Sequence, residues 1–378
     1  MKKLISIFIC FALSVTSIVT AYGENGADKP SVSAQAYVLY CVDNGEIICS
    51  SNENKKMKPA STTKLMTTLI ALEESAASNK KVKFTQEMIA EGSSMYLKVG
   101  EVVTLEDLAT GMMMSSGNDA AKATAITVSG SEEKFSERMN EKAKQIGMKN
   151  TNFVTASGLD NENHYSTAYD LALLMSYALE NEDFAQLTAK KSNTVDFIEP
   201  SDKKGTYSNH NRLLSLYEYC IGGKTGYTMA AGRCLVTAAE KDGLTLVCVT
   251  LNDKNDWNDH ISLYDFGFEK LCMLENNDSS FYADVPCVGG VVDNVAVLGK
   301  KNSSAVINRV DKDKVEKKIY LDSFLYAPIK ENQVVGRIEY SIEDKVITSV
   351  DLISVCDINA IKENKNIFTK IKELFTYG

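Results

Sequence analysis

Apolar patterns of two different periods, in a fixed order, constrain the fold of this chain more than any other feature. Four segments have the apolar pattern of β-strands: 37–42, 46–50, 234–238 and 244–251. Three segments between them repeat their apolar residues at helical spacing: 105–128, 132–146 and 167–179. The turn Asp43-Asn44-Gly45 predicts a hairpin between the first two strands, because such turns need positive φ angles. Strands therefore flank a helical middle, which predicts an α+β domain whose first and last segments share one sheet.

The length and composition leave room for more than one domain. The 378 residues are 44% hydrophobic and 24% charged, as in globular proteins, so a sizeable core can form. The net charge of −9 provides no excess of lysine and arginine to neutralise phosphates. We therefore expect no nucleic-acid partner.

The N-terminal residues are typical of a signal peptide. Two lysines precede an apolar run at 4–19, and the small residues Ala21 and Gly23 follow it. The alternative is a retained membrane anchor, but the run is shorter than the roughly 20 residues that a spanning helix needs. We expect residues 1–23 to be removed and the mature protein to be exported to the outer face of the cytoplasmic membrane.

The sequence predicts two domains. The first contains the strands and helices described above and is predicted to occupy residues 30–274. A polar stretch at 275–280 is typical of a linker, and beyond it short alternating runs, such as that at 338–342, are separated by polar turns. We expect a small all-β domain at 281–356.

The final segment, 357–378, is predicted to form an amphipathic helix. Large apolar residues of this segment fall on one helix face: Ile367, Phe368, Ile371, Leu374 and Phe375. Such a helix is too short to span a bilayer but suits its interface, where the lysines would favour anionic lipids. We expect peripheral attachment to the membrane surface. The alternative is that the helix docks onto the β domain and its apolar face is ordinary core.

Eight cysteines remain after the signal peptide, an even number that in an exported protein suggests disulfides. If Asn44 and Gly45 form a two-residue hairpin loop, Cys41 and Cys49 point to opposite faces of the sheet. Neither a CxxC pair nor a His/Cys cluster with metal-ligand spacing occurs, and the three histidines are widely scattered. We expect few or no disulfides, no metal and no cofactor.

Three short motifs that can carry chemistry occur in order along the chain. They are Ser61-Thr62-Thr63-Lys64, Ser116-Gly117-Asn118 and Lys224-Thr225-Gly226. Each is a weak signal by itself, because a serine followed three residues later by a lysine also arises by chance. Their order and surroundings make the combination far more specific.

Ser61 is a candidate nucleophile at the start of a helix, which the spacing of the following apolar residues predicts. Its hydroxyl needs a base, and the scattered histidines offer no suitably placed Ser-His-Asp arrangement. Lys64 lies one turn further on the same helix face and can reach the Ser61 oxygen. A free lysine has a pKa of about 10.4, but burial and a second cation such as Lys224 lower it.

Backbone donors near Ser61 can stabilise an oxyanion. The N–H of Ser61 itself is unpaired at a helix start, where the positive end of the helix dipole lies. A second donor is the backbone of Tyr227, which follows Gly226 at a strand edge. The glycines around Lys224 permit close approach of a substrate, although turn geometry alone also explains them.

Longer stretches around the three motifs carry a family resemblance. PASTTKLMT, MMMSSGNDAA and GGKTGYTMAAGRCLV resemble the active-site motifs of low-molecular-mass penicillin-binding proteins, specifically the D-alanyl-D-alanine carboxypeptidases. The resemblance covers nearly the whole mature chain, including LYDFGF at 263–268. It implies a catalytic domain of the serine D,D-peptidase and β-lactamase type, with an antiparallel sheet and helices, followed by the β domain and the terminal helix.

The resemblance also implies the chemistry and its residues. Ser61 would be acylated with Lys64 as base, and Ser116 would relay a proton toward the leaving amine. The substrate would be a peptidoglycan stem peptide, whose terminal D-alanine is removed when water hydrolyses the acyl-enzyme. β-Lactams would acylate the same serine.

Substrate contacts follow from the same motifs. The resemblance implies that Asn118 holds the substrate amide and that Lys224 and Thr225 bind the terminal carboxylate. Gly226 and Tyr227 complete this predicted substrate-binding strand, through close approach and the backbone donor described above.

The chain departs from the family pattern in two places. The family usually has an arginine shortly before the motif at 263–268 that helps to bind the substrate carboxylate, but Asp256 occupies that place here. The segment that usually reads Asn-Pro before a Gly-Leu pair is Thr155-Ala156-Ser157. The first departure affects carboxylate recognition, and the second alters the wall of the cleft.

Two other functions are alternatives to the predicted carboxypeptidase. A serine β-lactamase shares these motif types but needs a positioned carboxylate to activate water, and the ExxLN pattern that supplies it is absent. Glu162 lies in the corresponding region, but its neighbours do not match that pattern. The second rival is a catalytically silent wall-binding or penicillin-sensing protein that kept the fold and the motifs.

Overall fold

A computed structural model describes residues 29–362 of the chain. The predicted signal peptide at 1–23 and residues 363–378 of the predicted terminal helix lie outside the described residues. No helix in the described part is long and apolar enough to cross a membrane.

The described residues contain seventeen strands and eight α-helices. The strands are β1 Ala36–Cys41, β2 Glu46–Ser51, β3 Lys81–Lys83, β4 Val102–Thr104, β5 Ser192–Asp196, β6 Lys204–Ser208, β7 Cys220–Thr228, β8 Gly232–Lys241, β9 Leu244–Leu251, β10 Leu271–Asn276, β11 Tyr282–Val288, β12 Asn294–Gly299, β13 Ser303–Asn308, β14 Glu316–Leu321, β15 Leu325–Tyr326, β16 Val334–Ile342 and β17 Lys345–Ser354. The helices are α1 Lys64–Ala77, α2 Leu105–Met114, α3 Asn118–Ser129, α4 Glu132–Ile146, α5 Ala168–Leu179, α6 Glu182–Ala189, α7 Leu213–Leu216 and α8 Asp256–Lys270.

The larger domain is built on a five-stranded antiparallel sheet with the order β2-β1-β9-β8-β7. The first strand pairs with the last one in sequence, with Val38 opposite Val249. This confirms the predicted α+β arrangement, in which the ends of the domain share one sheet. All six residues of β1 are buried, because helices cover both faces of the sheet at this point.

Alternation along the central strands divides the apolar residues between two cores. Val38 and Tyr40 face the layer of helices α1 to α6, whereas Leu39 and Cys41 face α8. Helix α1 lies inside the helical layer, and its residues 64–72 are all buried. The face of α8 that carries Tyr264 covers the other side of the sheet.

The predicted helix at 105–128 is two helices, α2 and α3, with a break at residues 115–117. Ser116 in the break has a φ of 56°, a left-handed conformation that a continuous helix cannot contain. A side chain at Gly117 would lie 2.9 Å from the Met95 backbone nitrogen, so the turn packs tightly against a neighbouring loop. The prediction of one helix was wrong because the apolar periodicity continues through the break.

The first hairpin also differs from its prediction. Its loop contains residues 42–45, with Cys41 opposite Glu46, and a bulge between Leu39 and Tyr40 places Cys49 opposite Leu39. Cys41 and Cys49 therefore lie on the same side of the sheet, in the core that α8 covers, and the prediction of opposite faces was wrong. The described cysteines are free thiols: Cys41, Cys49, Cys220, Cys234, Cys248, Cys272, Cys287 and Cys356.

The predicted linker at 275–280 is not a free connection. Residues 271–276 form β10, which pairs along its length with β13. Asp278, which follows, is buried and accepts hydrogen bonds from Ser303, Tyr340 and Lys317. The prediction of a linker from polar composition was wrong, because these polar groups form hydrogen bonds with residues distant in sequence.

The C-terminal part is the small all-β domain that the sequence predicts. Its six-stranded sheet has the order β14-β16-β17-β12-β11-β15 around a separate apolar core. Ile358 is buried in that core and bridges to Ile329, and Ala360 bridges to Gly290. Residues 357–362 are therefore not helical, and the predicted start of the terminal helix at 357 was wrong.

Candidate active site

Ser61 lies in a 3-10 helix, Ala60–Thr63, that leads directly into α1. The turn is held by Thr62, whose backbone N–H and hydroxyl both donate to the Pro59 carbonyl. Ala60 has a φ of 48°, an unfavourable conformation for a residue with a side chain. The sequence placed Ser61 at a helix start, and the structure adds this strained turn, which leaves Ser61 partly exposed while its neighbours are buried.

Lys64 is fully buried and its ammonium group lies against Ser61. Its Nζ donates to Ser61 Oγ at 3.0 Å, to Asn118 Oδ1 at 2.7 Å and to the Ser157 carbonyl at 2.7 Å. Burial lowers the pKa of Lys64 well below its ordinary value, and the nearby charge of Lys224 lowers it further, against the opposing effect of Asp119. A lysine in this environment is suited to act as a base near neutral pH.

Ser116 is held at the break between α2 and α3, and Lys224 of β7 reaches it from the sheet. Lys224 Nζ donates to Ser116 Oγ at 3.0 Å and to the Thr225 carbonyl at 2.8 Å. Both side chains are buried, and burial lowers the pKa of Lys224 to about 7. The left-handed conformation of Ser116 costs conformational energy that tight surroundings must balance, as is common at functional sites.

Asn118, the first residue of α3, makes two hydrogen bonds within the protein. Its Oδ1 accepts from Lys64, and its Nδ2 donates to the Glu91 carbonyl at 2.6 Å. These bonds orient the lysine and leave one Nδ2–H free for the substrate amide that the resemblance implied. The next residue, Asp119, fixes the loop at 94–97 by accepting from Ser94 and from backbone N–H groups.

Strand β7 is the outermost strand of the sheet and forms one wall of the site. A side chain on Gly226 would lie 3.0 Å from the Ser61 nitrogen, so the strand and the 3-10 helix are in close contact there. Thr225 is partly exposed and Tyr227 is largely exposed. An extended peptide that pairs with this free edge would thus pass directly over Ser61.

Two contributors to the site escaped the sequence analysis. The Ser157 carbonyl binds Lys64, although the two residues are 93 positions apart. His164 is buried, and its Nδ1 accepts from the backbone N–H groups of Val154 and Thr155. Nε2 therefore carries the proton and donates to Thr63 Oγ1 at 2.8 Å. Burial lowers the pKa of His164 to about 4, so the ring is neutral. The only sequence signal for Ser157 was its position in the segment that departs from the family pattern, and His164 was only one of three scattered histidines.

Two acidic residues singled out by the sequence lie in different environments. Glu162, the candidate carboxylate of a β-lactamase, is exposed to solvent. Asp256, at the start of α8, is buried and accepts from Arg233, with Nε at 3.0 Å and Nη2 at 2.6 Å. Within the described residues, no group of three or more His, Cys, Asp or Glu side chains could hold a metal ion.

Comparison with known families gives two matches in succession. Residues 23–255 match the family described as D-alanyl-D-alanine carboxypeptidase, and residues 268–360 match the family described as penicillin-binding protein 5, C-terminal domain. The first match alone spans more than half of the chain, and it contains all three motifs.

Individual proteins are similar over the same extent. The D-alanyl-D-alanine carboxypeptidase DacF of Bacillus subtilis is 31% identical over 403 aligned residues, covering 98% of this chain and 100% of the relative. DacC of Escherichia coli, another D-alanyl-D-alanine carboxypeptidase, is 31% identical over 353 residues, covering 87% and 85%. The crystal structure of penicillin-binding protein 5 from Haemophilus influenzae superposes with a TM-score of 0.68 at 27% identity, covering 88% of this chain and 100% of that one.

Proposed function

Because this chain belongs to the D-alanyl-D-alanine carboxypeptidase family and is a serine-type carboxypeptidase, we propose that it removes the terminal D-alanine of peptidoglycan stem peptides through an acyl-enzyme on Ser61. One observation carries this proposal. Lys64 Nζ lies 3.0 Å from Ser61 Oγ in a fully buried environment, with a pKa held well below its ordinary value. A nucleophile and a base in hydrogen-bond contact are the minimum machinery for acyl transfer.

The acylation step uses both lysines and both serines. Neutral Lys64 takes the hydroxyl proton of Ser61, and Oγ attacks the carbonyl carbon of the bond between the two D-alanines. The C–N bond then breaks, and the leaving amine takes a proton from Ser116, which recovers one through the adjacent lysines. The proton lost by Ser61 thus ends on the released D-alanine.

Backbone N–H groups stabilise the negative charge that develops on the substrate carbonyl oxygen. The Ser61 N–H, next to the close contact with Gly226, and the N–H of Tyr227 on β7 are the proposed pair. In deacylation, water attacks the ester, Lys64 takes a proton from it, and the bond to Ser61 breaks with return of the hydroxyl. The products are the shortened peptide and the free enzyme.

Substrate binding uses the free edge of β7. Lys224 and Thr225 bind the terminal carboxylate, since the buried Lys224 ammonium group lies against the Thr225 backbone and a cation favours that charge. Asn118 holds Lys64 through Oδ1 and can offer its second Nδ2–H to the substrate amide. A β-lactam presents a similar amide and carboxylate, so Ser61 attacks its carbonyl, the ring C–N bond breaks, and the opened ring stays attached to Ser61 as an ester.

The cellular placement of the enzyme follows from the sequence at its two ends. The signal-peptide pattern at 1–23 directs export, and the apolar stripe at 367–375 attaches the protein to the outer face of the cytoplasmic membrane. The cell-wall substrate lies in that compartment.

Covalent labelling by a fluorescent penicillin tests the proposal. We expect Ser61→Ala to abolish labelling and D-alanine release without loss of fold, because only a partly exposed oxygen is removed. Ser176→Ala is the matched control, since its hydroxyl donates to the Ala172 carbonyl within α5, far along the chain from the motifs. Labelling that survives in Ser61→Ala, or peptide turnover that survives without labelling, would refute the assignment.

A further inference from the structure

The start of helix α8 contains an unusual charge arrangement beside the substrate-binding strand. Asp256 occupies the place where the family pattern has an arginine, and it is bonded in bidentate fashion to Arg233 of β8. The Asp256 side chain is only 5% exposed, whereas that of Arg233 is 45% exposed. The carboxylate is thus the buried anchor, and the guanidinium is its solvent-facing partner.

The sheet register places Arg233 next to the substrate-binding motif. Arg233 lies directly opposite Tyr227, and Thr225 lies opposite Leu235, two residues further along β8. Opposite residues of an antiparallel pair project from the same face, so Arg233 and Thr225 are diagonal neighbours on one face. Diagonal neighbours lie about 7–8 Å apart at the backbone, within reach of a long side chain.

The guanidinium retains donors for a ligand. Arginine has five N–H donors, and Asp256 accepts from two of them, one at Nε and one at Nη2. Within residues 29–362 the Arg233 side chain makes no other hydrogen bond, and after Asp256, Asp253 is a second acidic group that raises its pKa. Its ring neighbour is Trp257, with the guanidinium carbon 5.8 Å from the ring centroid. The group is therefore oriented on one side by Asp256 and Trp257 and open on the other.

From these contacts we propose that Arg233 binds the terminal carboxylate of the substrate together with Thr225 and Lys224. The proposal deepens the carboxypeptidase function above and rests on it. The positive charge that the family pattern places at position 256 is supplied instead from the adjacent strand, and Asp256 has become its support. Buried Asp256 fixes the fork geometry, and two parallel hydrogen bonds to a carboxylate give the geometric specificity that a lysine alone lacks.

A purely structural salt bridge is the competing explanation. Such a pair would influence stability, and it would affect every substrate equally. Binding of a carboxylate makes a different prediction, because only substrates that carry the terminal charge lose affinity when the guanidinium is removed.

The test compares diacetyl-lysyl-D-alanyl-D-alanine with its C-terminal amide, measuring the shortened peptide, which is the same product for both. In Arg233→Gln, kcat/KM for the free acid should fall about 10- to 100-fold, mainly through KM, because a charged hydrogen bond is lost. For the amide the change should stay below about threefold, since that substrate has no charge to lose. Arg138→Gln is the matched control, because this arginine pairs with Glu74 on the helical layer.

A second substitution that restores the positive charge tests the role of Arg233 further. In Arg233→Gln combined with Asp256→Arg, the charge returns to the position of the family pattern, and we expect most of the preference for the free acid to return. Arg233→Lys keeps the charge without the fork and serves as the milder variant if Arg233→Gln fails to fold. Its kcat/KM should fall several-fold for the free acid and stay unchanged for the amide.

The outcomes separate this inference from the proposed function. Equal losses on both substrates in the Arg233 variants, or equal turnover of both substrates by the parent enzyme, would overturn carboxylate binding by Arg233. If the parent enzyme neither releases D-alanine nor is labelled at Ser61 by penicillin, the proposed function itself fails. Selective loss on the free acid with intact penicillin labelling supports both.

Discussion

Lys64 has three N–H donors, and each has an acceptor in the site: Ser61 Oγ, Asn118 Oδ1 and the Ser157 carbonyl. Asn118 is itself fixed by its bond to the Glu91 carbonyl, and the Ser157 acceptor is backbone. These two acceptors aim the nitrogen at Ser61. When Lys64 loses a proton, the lone pair can take the remaining position and receive the Ser61 proton.

The charge of Lys224 contributes to this behaviour, which leads to a prediction about pH. Protonated Lys64 cannot accept a proton, so acylation rises as the pH passes upward through the pKa of Lys64. Lys224 lowers that pKa by repulsion, so Lys224→Gln should raise it. We expect the ascending limb of the pH profile for penicillin acylation to move to higher pH in this variant.

The shift can be separated from a general loss of rate. Acylation constants measured across the pH range by rapid mixing give the position of the limb independently of its height. Lys142→Gln is the control, because that lysine pairs with Glu73 on the helical layer. An ascending limb that stays in place or moves to lower pH in Lys224→Gln would contradict electrostatic coupling between the two lysines.

At the scale of single residues, the sequence predicted the contact between Ser61 and Lys64 but not the groups that orient them. The spacing of Ser61 and Lys64 on one helix predicted their contact, since residues three apart share a face. The acceptor at Ser157 and the support of Thr63 by His164 join residues 93 and 101 positions apart. Such contacts depend on how loops cross the helices, which periodicity does not encode.

Single turns between or before helices, rather than the helices themselves, position the nucleophile and the proton relay. The 3-10 helix with Ser61 packs against Gly158, whose φ is +83°. A side chain there would lie 1.9 Å from the Ala60 carbonyl oxygen and 2.8 Å from Thr63 Oγ1. The loop after Phe153 can therefore support the nucleophile only with glycine at this position.

Gly158→Ala should accordingly damage both stability and catalysis. The strained φ and the clash together cost about 2–4 kcal/mol, and movement of the 3-10 helix should slow penicillin acylation by at least about tenfold. Gly130→Ala is a close control, since its φ is +82° but a side chain there meets nothing within 4 Å. It should lose about 1–2 kcal/mol of unfolding free energy through strain alone and keep the acylation rate.

Urea unfolding and acylation rates of the two variants provide the comparison. If both glycine variants lose the same stability and both acylate normally, contact between Gly158 and the 3-10 helix does not position Ser61. If Gly158→Ala alone slows acylation, the contact has the role assigned to it.

Elements were predicted best where periodicity is uninterrupted. The helices at 132–146 and 167–179 and the strands around 234–251 occur within a few residues of their expected bounds. The break at Ser116 was missed because MMMSSGND contains no proline or strong helix stop before Gly117. Ser116 is left-handed where the adjacent Gly117 packs tightly against Met95, a tertiary contact that no local pattern records.

At the scale of the whole molecule, the two sheets are joined by specific contacts rather than by a loose linker. Strand β10 continues from α8 and pairs with β13, and Arg309 donates to the carbonyls of Phe268 and Leu271. The sequence predicted both sheets but not this junction. A polar stretch is typical of a linker. The same residues can instead bond to groups distant in sequence, as Asp278 does with Ser303 and Tyr340.

The last described residues lie at a margin of the β domain that carries exposed apolar side chains. Ile361 donates its N–H to the Gly289 carbonyl, and Val291 donates to Asn359, so the last described residues form part of the sheet margin. Exposed apolar side chains occur along this margin: Val288, Val291, Val292, Tyr326 and Ile361. The described residues therefore end, at position 362, beside apolar surface of the β domain.

Deletion of residues 364–378 should release the mature protein from anionic vesicles in a sedimentation assay while peptide turnover in solution stays nearly unchanged. Each fully buried large apolar side chain contributes about 1.5–3 kcal/mol, so partial burial of the stripe at 367–375 suffices for reversible attachment. Phe368→Ser with Phe375→Ser tests the stripe without shortening the chain, and Asn366→Ser is its control. Because Ile358 already completes the β-domain core from within the described residues, the deletion should leave that fold intact. A deleted protein that still sediments, or one that unfolds, would favour the alternative in which the segment docks onto the β domain.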